Sequence, residues 1–307
     1  MNLQKKLETI LKISGKTQQE LSHDLGVSFA TLNSWINGRS EPRAKNLAKI
    51  GGLYLRLTGQ AVIPESELRA KKELLAGRVR SHKNLIAEIL ANIDIFDQFV
   101  LSLTYHTNRI EGSSLTEDDT AAILFDNVSL PGKSLAEQLE AKNHQTALKF
   151  LFEYLKEGGI IDQDLILKLH GILMNSVRDD AGFYRRYGVR IVGANIPTAN
   201  YLRIPDLMAD LEKKIAADGD DLIACVADVH AEFEKIHPFS DGNGRVGRLL
   251  LGAMFLRNNY PPAVIEQEKR RQYMASLNKA QRDGDSRPLQ DFLCDAVLTG
   301  FDILERK

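Results

Sequence analysis

His237-Pro238-Phe239-Ser240-Asp241-Gly242-Asn243-Gly244-Arg245-Val246-Gly247-Arg248 is the stretch whose reading decides both fold and chemistry. An amphipathic run, Leu222 to Ile236, precedes it and reads as a helix. Pro238 has no amide to donate and breaks that helix. The next apolar run, Val246 to Leu256, is again helical in length and spacing and stops before Pro261-Pro262. The stretch is therefore a loop that opens onto a helix N-terminus. Gly242 and Gly244 let backbone amides come close to a ligand. Free amides at the positive end of a helix make an anion site. Arg245 and Arg248, three apart, share a face just inside the helix, and two guanidiniums beside open amides suit a phosphate chain. Asp241 is a hard oxygen ligand placed to hold magnesium beside phosphates. His237 has a side chain that titrates near working pH and can take a proton from an incoming hydroxyl. Together these residues read as a nucleotide triphosphate site with its own general base.

Each residue alone is ordinary; their conjunction within twelve positions is not. At these positions the sequence resembles the Fic family, whose signature HxFx(D/E)GNGRxxR is matched without substitution. The resemblance implies transfer of AMP from ATP to a protein hydroxyl. His237 is then the base and Asp241 the magnesium ligand. Gly242, Asn243 and Gly244 form the anion hole, and Arg245 and Arg248 hold the phosphates. The branch of the family that phosphorylates carries an altered anion loop, so the intact one favours nucleotidyl transfer.

A chain of 307 residues suggests about two domains. Hydrophobic content of 43% and charged content of 26% are those of a globular protein. The formal net charge of −1 supplies no global field for nucleic acid, so any basic patch must be local. Cys225 and Cys294 sit in apolar helical runs and read as small hydrophobes in a reducing compartment. No signal peptide and no stretch long enough to span a bilayer is evident, and a cytoplasmic location is expected.

Residues 1–60 read as a small helical module. Thr17 and Glu20 form a capping box, Gly26 supplies a tight turn, and Ser28 caps the next helix. Leu21, Leu25, Val27, Leu32 and Trp35 are the apolar contacts between the two helices. This pattern, with its trailing Asn37-Gly38-Arg39 and Pro42, resembles the Cro/repressor-type helix-turn-helix. In such a module the second helix enters the major groove. Phe29, Ala30, Asn33 and Ser34 face outward there, with Gln18 at the start of the first helix and Arg39 after the second. Phe29 and Ala30 suit thymine methyls, and Asn33 a base edge. Basic residues such as Lys5, Lys6, Arg43 and Lys45 outnumber Glu8, Glu20, Asp24 and Glu41, which favours phosphate contacts. A module used only for protein contact fits an outward phenylalanine as well.

Residues 61–84 form a charged linker that continues into a helix, and 85–307 the catalytic domain. Leu85 to Ile110 is apolar at helical spacing and ends in Thr107-Asn108-Arg109-Ile110-Glu111-Gly112. This resembles the inhibitory motif (S/T)xxxE(G/N) of Fic proteins, here in the intramolecular class because it precedes the core. The resemblance pairs Glu111 with Arg248, which blocks the guanidinium meant for the γ-phosphate. Thr107 and Gly112 complete the motif; Gly112 also reads as an ordinary helix cap.

Val189-Arg190-Ile191-Val192 alternates and is followed by Gly193-Ala194-Asn195, a hairpin signal. It resembles the Fic flap, which aligns a target segment by strand-like pairing. Tyr273 and Gln281 stand on a later helix that, by resemblance, borders the adenine; family members often have asparagine where Gln281 stands. The fold expected is all-α, a multi-helix core with one small hairpin. Expected ligands are ATP and Mg2+; expected partners are a target protein's hydroxyl and DNA, with a homodimer left open and no membrane. Two other readings use the same residues: a DNA-binding regulator that senses nucleotide, and an enzyme that removes AMP.

Overall fold

A computed structural model describes residues 3–58, 63–126, 128–190, 196–217 and 219–306. All regular structure among them is helical. The amino-terminal module comprises α1 (Leu3–Ser14), α2 (Gln18–Leu25), α3 (Phe29–Ile36) and α4 (Ala44–Leu57). The capping box forms as read: the Glu20 amide donates to Thr17 Oγ1 at 3.2 Å, and the Thr17 amide to Glu20 Oε2 at 2.7 Å. Gly26 turns the chain with φ 69°, and Ser28 Oγ accepts from the Thr31 amide. Leu7, Ile10, Leu21, Leu25, Leu32, Trp35 and Ile50 close a small core of their own, and Val27 packs on its edge. Each of these buried large side chains contributes roughly 1.5–3 kcal/mol to holding the four helices together.

The charged run after it behaves differently from a solvated linker. α5 (Glu65–Val79) buries Leu68 and Leu75 in the main core. Its cations face α15 (Arg287–Leu304): Lys71 Nζ pairs with Asp291 at 2.7 Å and Asp295 at 2.8 Å, and Arg78 with Glu305 at 2.6 Å. The apolar stretch 85–110 is two helices, not one. α6 (Leu85–Ala91) stops at Asn92, whose extended backbone and side chain cap α7 (Ile93–Glu111) by accepting from the Asp94 and Ile95 amides.

α8 (Glu117–Phe125), α9 (Leu135–Lys156) and α10 (Gln163–Leu173) follow, then α11 (Ile204–Ala216), α12 (Leu222–Ile236), α13 (Asn243–Arg257) and α14 (Arg270–Asp283). α12 and α13 lie against each other, with α7, α9 and α10 packed on α13, and α14 and α15 on α12. α14 also touches α1 and α4, so it is the element shared by the two halves. No strand forms among the described residues. Val189 and Arg190 of the expected hairpin are irregular, and Ile191 and Val192 lie outside the described residues. No described helix is long and apolar enough to cross a membrane.

Candidate active site

The signature loop is held from beneath. α12 ends on His237, whose amide donates to the Phe233 carbonyl at 2.9 Å and whose backbone is left-handed, φ 53° and ψ 62°. A non-glycine residue holds this conformation only where its surroundings over-determine it. Phe239 is fully buried and stacks on His170, ring centroids 3.8 Å apart. Asn243 is buried, and its amide group closes the loop: Oδ1 accepts from the Phe239 amide at 2.8 Å and Nδ2 donates to the Phe239 carbonyl at 2.9 Å. The Asn243 side chain is thus a latch, and only its backbone is left for a ligand. Gly242, at φ 75°, precedes α13, and no side chain caps that helix. Its first-turn amides are therefore the ready anion site that helix geometry supplies. The Gly242 amide itself donates to Asp241 Oδ1 at 2.6 Å.

His237 Nδ1 lies 3.3 Å from the Glu234 carbonyl oxygen. A carbonyl only accepts, so the proton sits on Nδ1 and the lone pair on Nε2. Burial pulls the imidazole below its ordinary pKa, opposed by the Glu234 hydrogen bond and assisted by the Arg185 charge. The ring is neutral near neutral pH, the state a base requires.

Arg248 is nearly buried and fully engaged. Its Nε donates to Thr107 Oγ1 at 2.6 Å, and Nη2 to Glu111 Oε1 at 2.6 Å. Glu111 is the last residue of α7, and Gly112, at φ 106°, ends the helix there. Partial burial disfavours the Glu111 charge, but Arg248 more than offsets it and holds the carboxyl below the usual range. The Glu111 carboxylate also rests on the anion loop: a Cβ built on Gly244 would collide with Glu111 Oε1 and stand 3.0 Å from Arg248 Nη1. Glycine at 244 is what allows this contact.

The other called residues divide. Arg245 is buried, with Nη1 on Glu140 of α9 at 2.7 Å and Nη2 3.6 Å from Asp241. Asp241 leaves about half of its side chain exposed, 52%. Among the described residues no group of three ligating side chains could hold a metal. A lone exposed carboxylate still fits magnesium, which keeps its waters and takes its remaining ligands from substrate phosphates. Tyr273 is buried behind Arg248 instead of facing the cleft, its hydroxyl 2.6 Å from His230 Nε2. Gln281 donates to the Ala231 carbonyl at 3.1 Å and lines a cavity of about 550 Å3 with Lys235, Ile236 and Ala199. In the amino-terminal module Phe29 (52% exposed), Ala30 and Arg39 face outward. Gln18 and Asn33 are half-buried and bond to each other at 3.1 Å, and Ser34 pairs with Ser40.

Sequence reasoning left four neighbours without a role. Glu140 balances Arg245. His170 is buried, accepts from the Gly182 amide and approaches the Asp241 carbonyl. Glu234 is a buried carboxyl whose Oε1 has no hydrogen-bond partner; burial pushes it up to about 7, against the pull of Arg248. Arg185 binds the turn at His237. None carries a local signal: Glu140, His170 and Arg185 meet the signature loop from other segments, and Glu234 Oε1 has no hydrogen-bond partner.

Comparison with known proteins gives the same two parts. Residues 160–255 match the Fic/DOC family and residues 7–53 a helix-turn-helix family. The chain is 34% identical over 201 residues to a protein adenylyltransferase Fic of Nematostella vectensis, covering 62% of this chain and 45% of that protein. It is 38% identical over 189 residues to protein adenylyltransferase fic-1 of Caenorhabditis briggsae, covering 60% and 37%. The chain thus spans less than half the length of these curated relatives. Among solved structures, Fic-1 of Caenorhabditis elegans superposes with a TM-score of 0.66 at 25% identity, covering 93% of this chain and 84% of that one. A Fic domain containing signaling protein of Bacteroides thetaiotaomicron has the same fold, with a TM-score of 0.67 at 23% identity over 76% of this chain and 96% of that one.

Proposed function

We propose that this chain, which carries a Fic/DOC domain behind an amino-terminal helix-turn-helix domain, is a protein adenylyltransferase that holds itself inactive. The relatives named protein adenylyltransferase support the activity, and the arrangement of the signature loop supports the assignment of roles.

His237 Nε2 accepts the proton of a target hydroxyl. The oxygen forms its bond to the α-phosphorus as the bond from that phosphorus to the bridging oxygen breaks, and pyrophosphate leaves. The open amides at the start of α13 stabilise charge on the phosphoryl oxygens. Asp241 would hold magnesium, which supplies neutralisation of the phosphate charge. Arg248 binds the phosphate tail once it is free, and Arg245, balanced by Glu140, keeps Asp241 in place from below. Gln281 borders the adenine from the cavity beside α12. The segment from Val189 to Val192 aligns the target's backbone, and the Cro-like module binds DNA through Phe29, Ala30 and Arg39.

One observation carries the reading. The Glu111 carboxylate lies on Gly244 and on Arg248 at once, at the place where a phosphate tail would need both. ATP therefore cannot reach its productive position until Glu111 leaves. The test is self-labelling with ATP carrying its label on the α-phosphate, compared with label on the γ-phosphate. Glu111→Gly should label strongly from the first and not from the second, and His237→Ala in that background should not label. Equal labelling by the wild type and Glu111→Gly would remove the inhibitory role, and label from the γ-position would replace nucleotidyl by phosphoryl transfer.

A further inference from the structure

We propose that Arg185 is a positioning residue for the transfer: it clamps the backbone turn that presents His237 and ties that turn to the backbone at Tyr187 and Ala199. The inference rests on the reading of His237 as the base.

Arg185 is 3% exposed, yet among the described residues no carboxylate pairs with it. Its partners are backbone carbonyls. Nε donates to His237 O at 2.7 Å, and Nη2 to Ile236 O at 3.3 Å and Ala199 O at 2.7 Å. Nη1 donates to Tyr187 O at 2.7 Å, and the Arg185 amide to Pro238 O at 2.9 Å. One residue thus serves three consecutive carbonyls, Ile236, His237 and Pro238. Ile236 and His237 carry carbonyls that the end of α12 leaves without intrahelical partners, and the negative end of the α12 dipole favours a cation there.

The arrangement explains how His237 keeps a left-handed backbone without being glycine. Such a residue returns to an ordinary conformation unless several contacts forbid it. The planar fork of arginine spans carbonyls on both sides of the turn at fixed angles; a lysine ammonium, a single point on a flexible stem, cannot. The same fork also holds the Tyr187 and Ala199 carbonyls beside the His237 turn.

The charge has a second effect. Four groups act on the His237 imidazole: the Glu234 carbonyl on its own helix, Glu111 from α7, Asp241 from the loop, and Arg185. The first three favour the protonated ring; Arg185, with burial, favours the neutral one. Removing the Arg185 charge therefore raises the pH at which the base is lost.

The test uses the full-length chain carrying Glu111→Gly, alone and with Arg185→Lys or Arg185→Gln. Self-labelling is measured against ATP concentration and pH, and the His237 ring is titrated by NMR in each variant. Both replacements should lower kcat by roughly tenfold or more while KM for ATP moves by less than about twofold, since the anion loop is untouched. Arg185→Gln should also move the acidic limb of the rate profile and the His237 titration upward, and Arg185→Lys, which keeps the charge, should not. Arg185→Lys is the variant to read if glutamine destabilises the fold. An unshifted His237 titration with unchanged kcat overturns the proposal, as does a loss confined to KM. If the Glu111→Gly parent fails to label at all, the transfer reading falls, while the NMR titration still decides what Arg185 does to His237.

Discussion

Replacing Glu111 removes the one carboxylate within 4.0 Å of the Arg248 guanidinium among the described residues. The contact is a single charge-assisted bond of 2.6 Å between a nearly buried guanidinium and a carboxylate with 41% of its side chain exposed. Such a bond contributes about 1.5–3 kcal/mol, so the productive ATP pose should gain roughly tenfold to a hundredfold when it is lost. Two opposed signatures follow. Without nucleotide, Glu111→Gly should melt lower than the wild type, because Arg248 retains only Thr107 as a direct oxygen partner beside the neutral Tyr273 hydroxyl. With excess ATP the order should reverse, because only the variant binds the phosphate tail productively. Initial rates of self-labelling should rise in parallel. Glu111→Gln should fall between the two: its amide oxygen still accepts from Arg248 but no longer brings a charge. Equal melting shifts with ATP in wild type and Glu111→Gly would refute the reasoning. So would Glu111→Gln behaving as fully repressed, since the hold would then be steric and not electrostatic.

Three further outcomes are expected. Because burial holds His237 below the ordinary imidazole range and the neutral ring is the active form, the rate should stay level on acidification past the usual histidine range, then fall as pH drops through the depressed value; a kcat/KM profile of Glu111→Gly that declines already above neutral pH contradicts this. Asn243→Ala should lower stability by about 1–3 kcal/mol and abolish labelling, because it leaves the buried Phe239 amide and carbonyl unpartnered; urea melts and labelling check both. Glu234 is raised in the folded chain from 4.5 to about 7, so its penalty is absent below 4.5, grows as the pH rises from there to about 7, and is constant above. Glu234→Gln should therefore match the wild type in acid and exceed it by on the order of 3 kcal/mol in mild alkali, and a constant difference across pH would exclude the titration.

Local signals were legible and distant ones were not. Thr17, Glu20, Gly26 and Ser28 act on neighbours within four residues, so the amino-terminal module could be read directly. Pro238 and the glycines of the signature likewise announce a loop before a helix. Asn92 was hidden inside an apolar run, since its capping role depends on two amides that a continuous helix would have used otherwise. The cations of α5 looked like a solvated face because their partners, Asp291, Asp295 and Glu305, stand more than two hundred positions later. The Glu111–Arg248 pair, 137 positions apart, came from a family resemblance and not from spacing. Glu140, Glu234 and Arg185 had no such guide. Tyr273 is assigned to the nucleotide by analogy alone; in the structure it is buried, with its hydroxyl on His230.

The most direct measurement is the intact mass of the Glu111→Gly chain after incubation with ATP and magnesium. A gain of one adenosine monophosphate on a hydroxyl side chain, absent when His237 is also replaced by alanine, is the predicted result. No gain, or a gain of phosphate alone, would contradict the assignment of the loop as a nucleotidyl-transfer site.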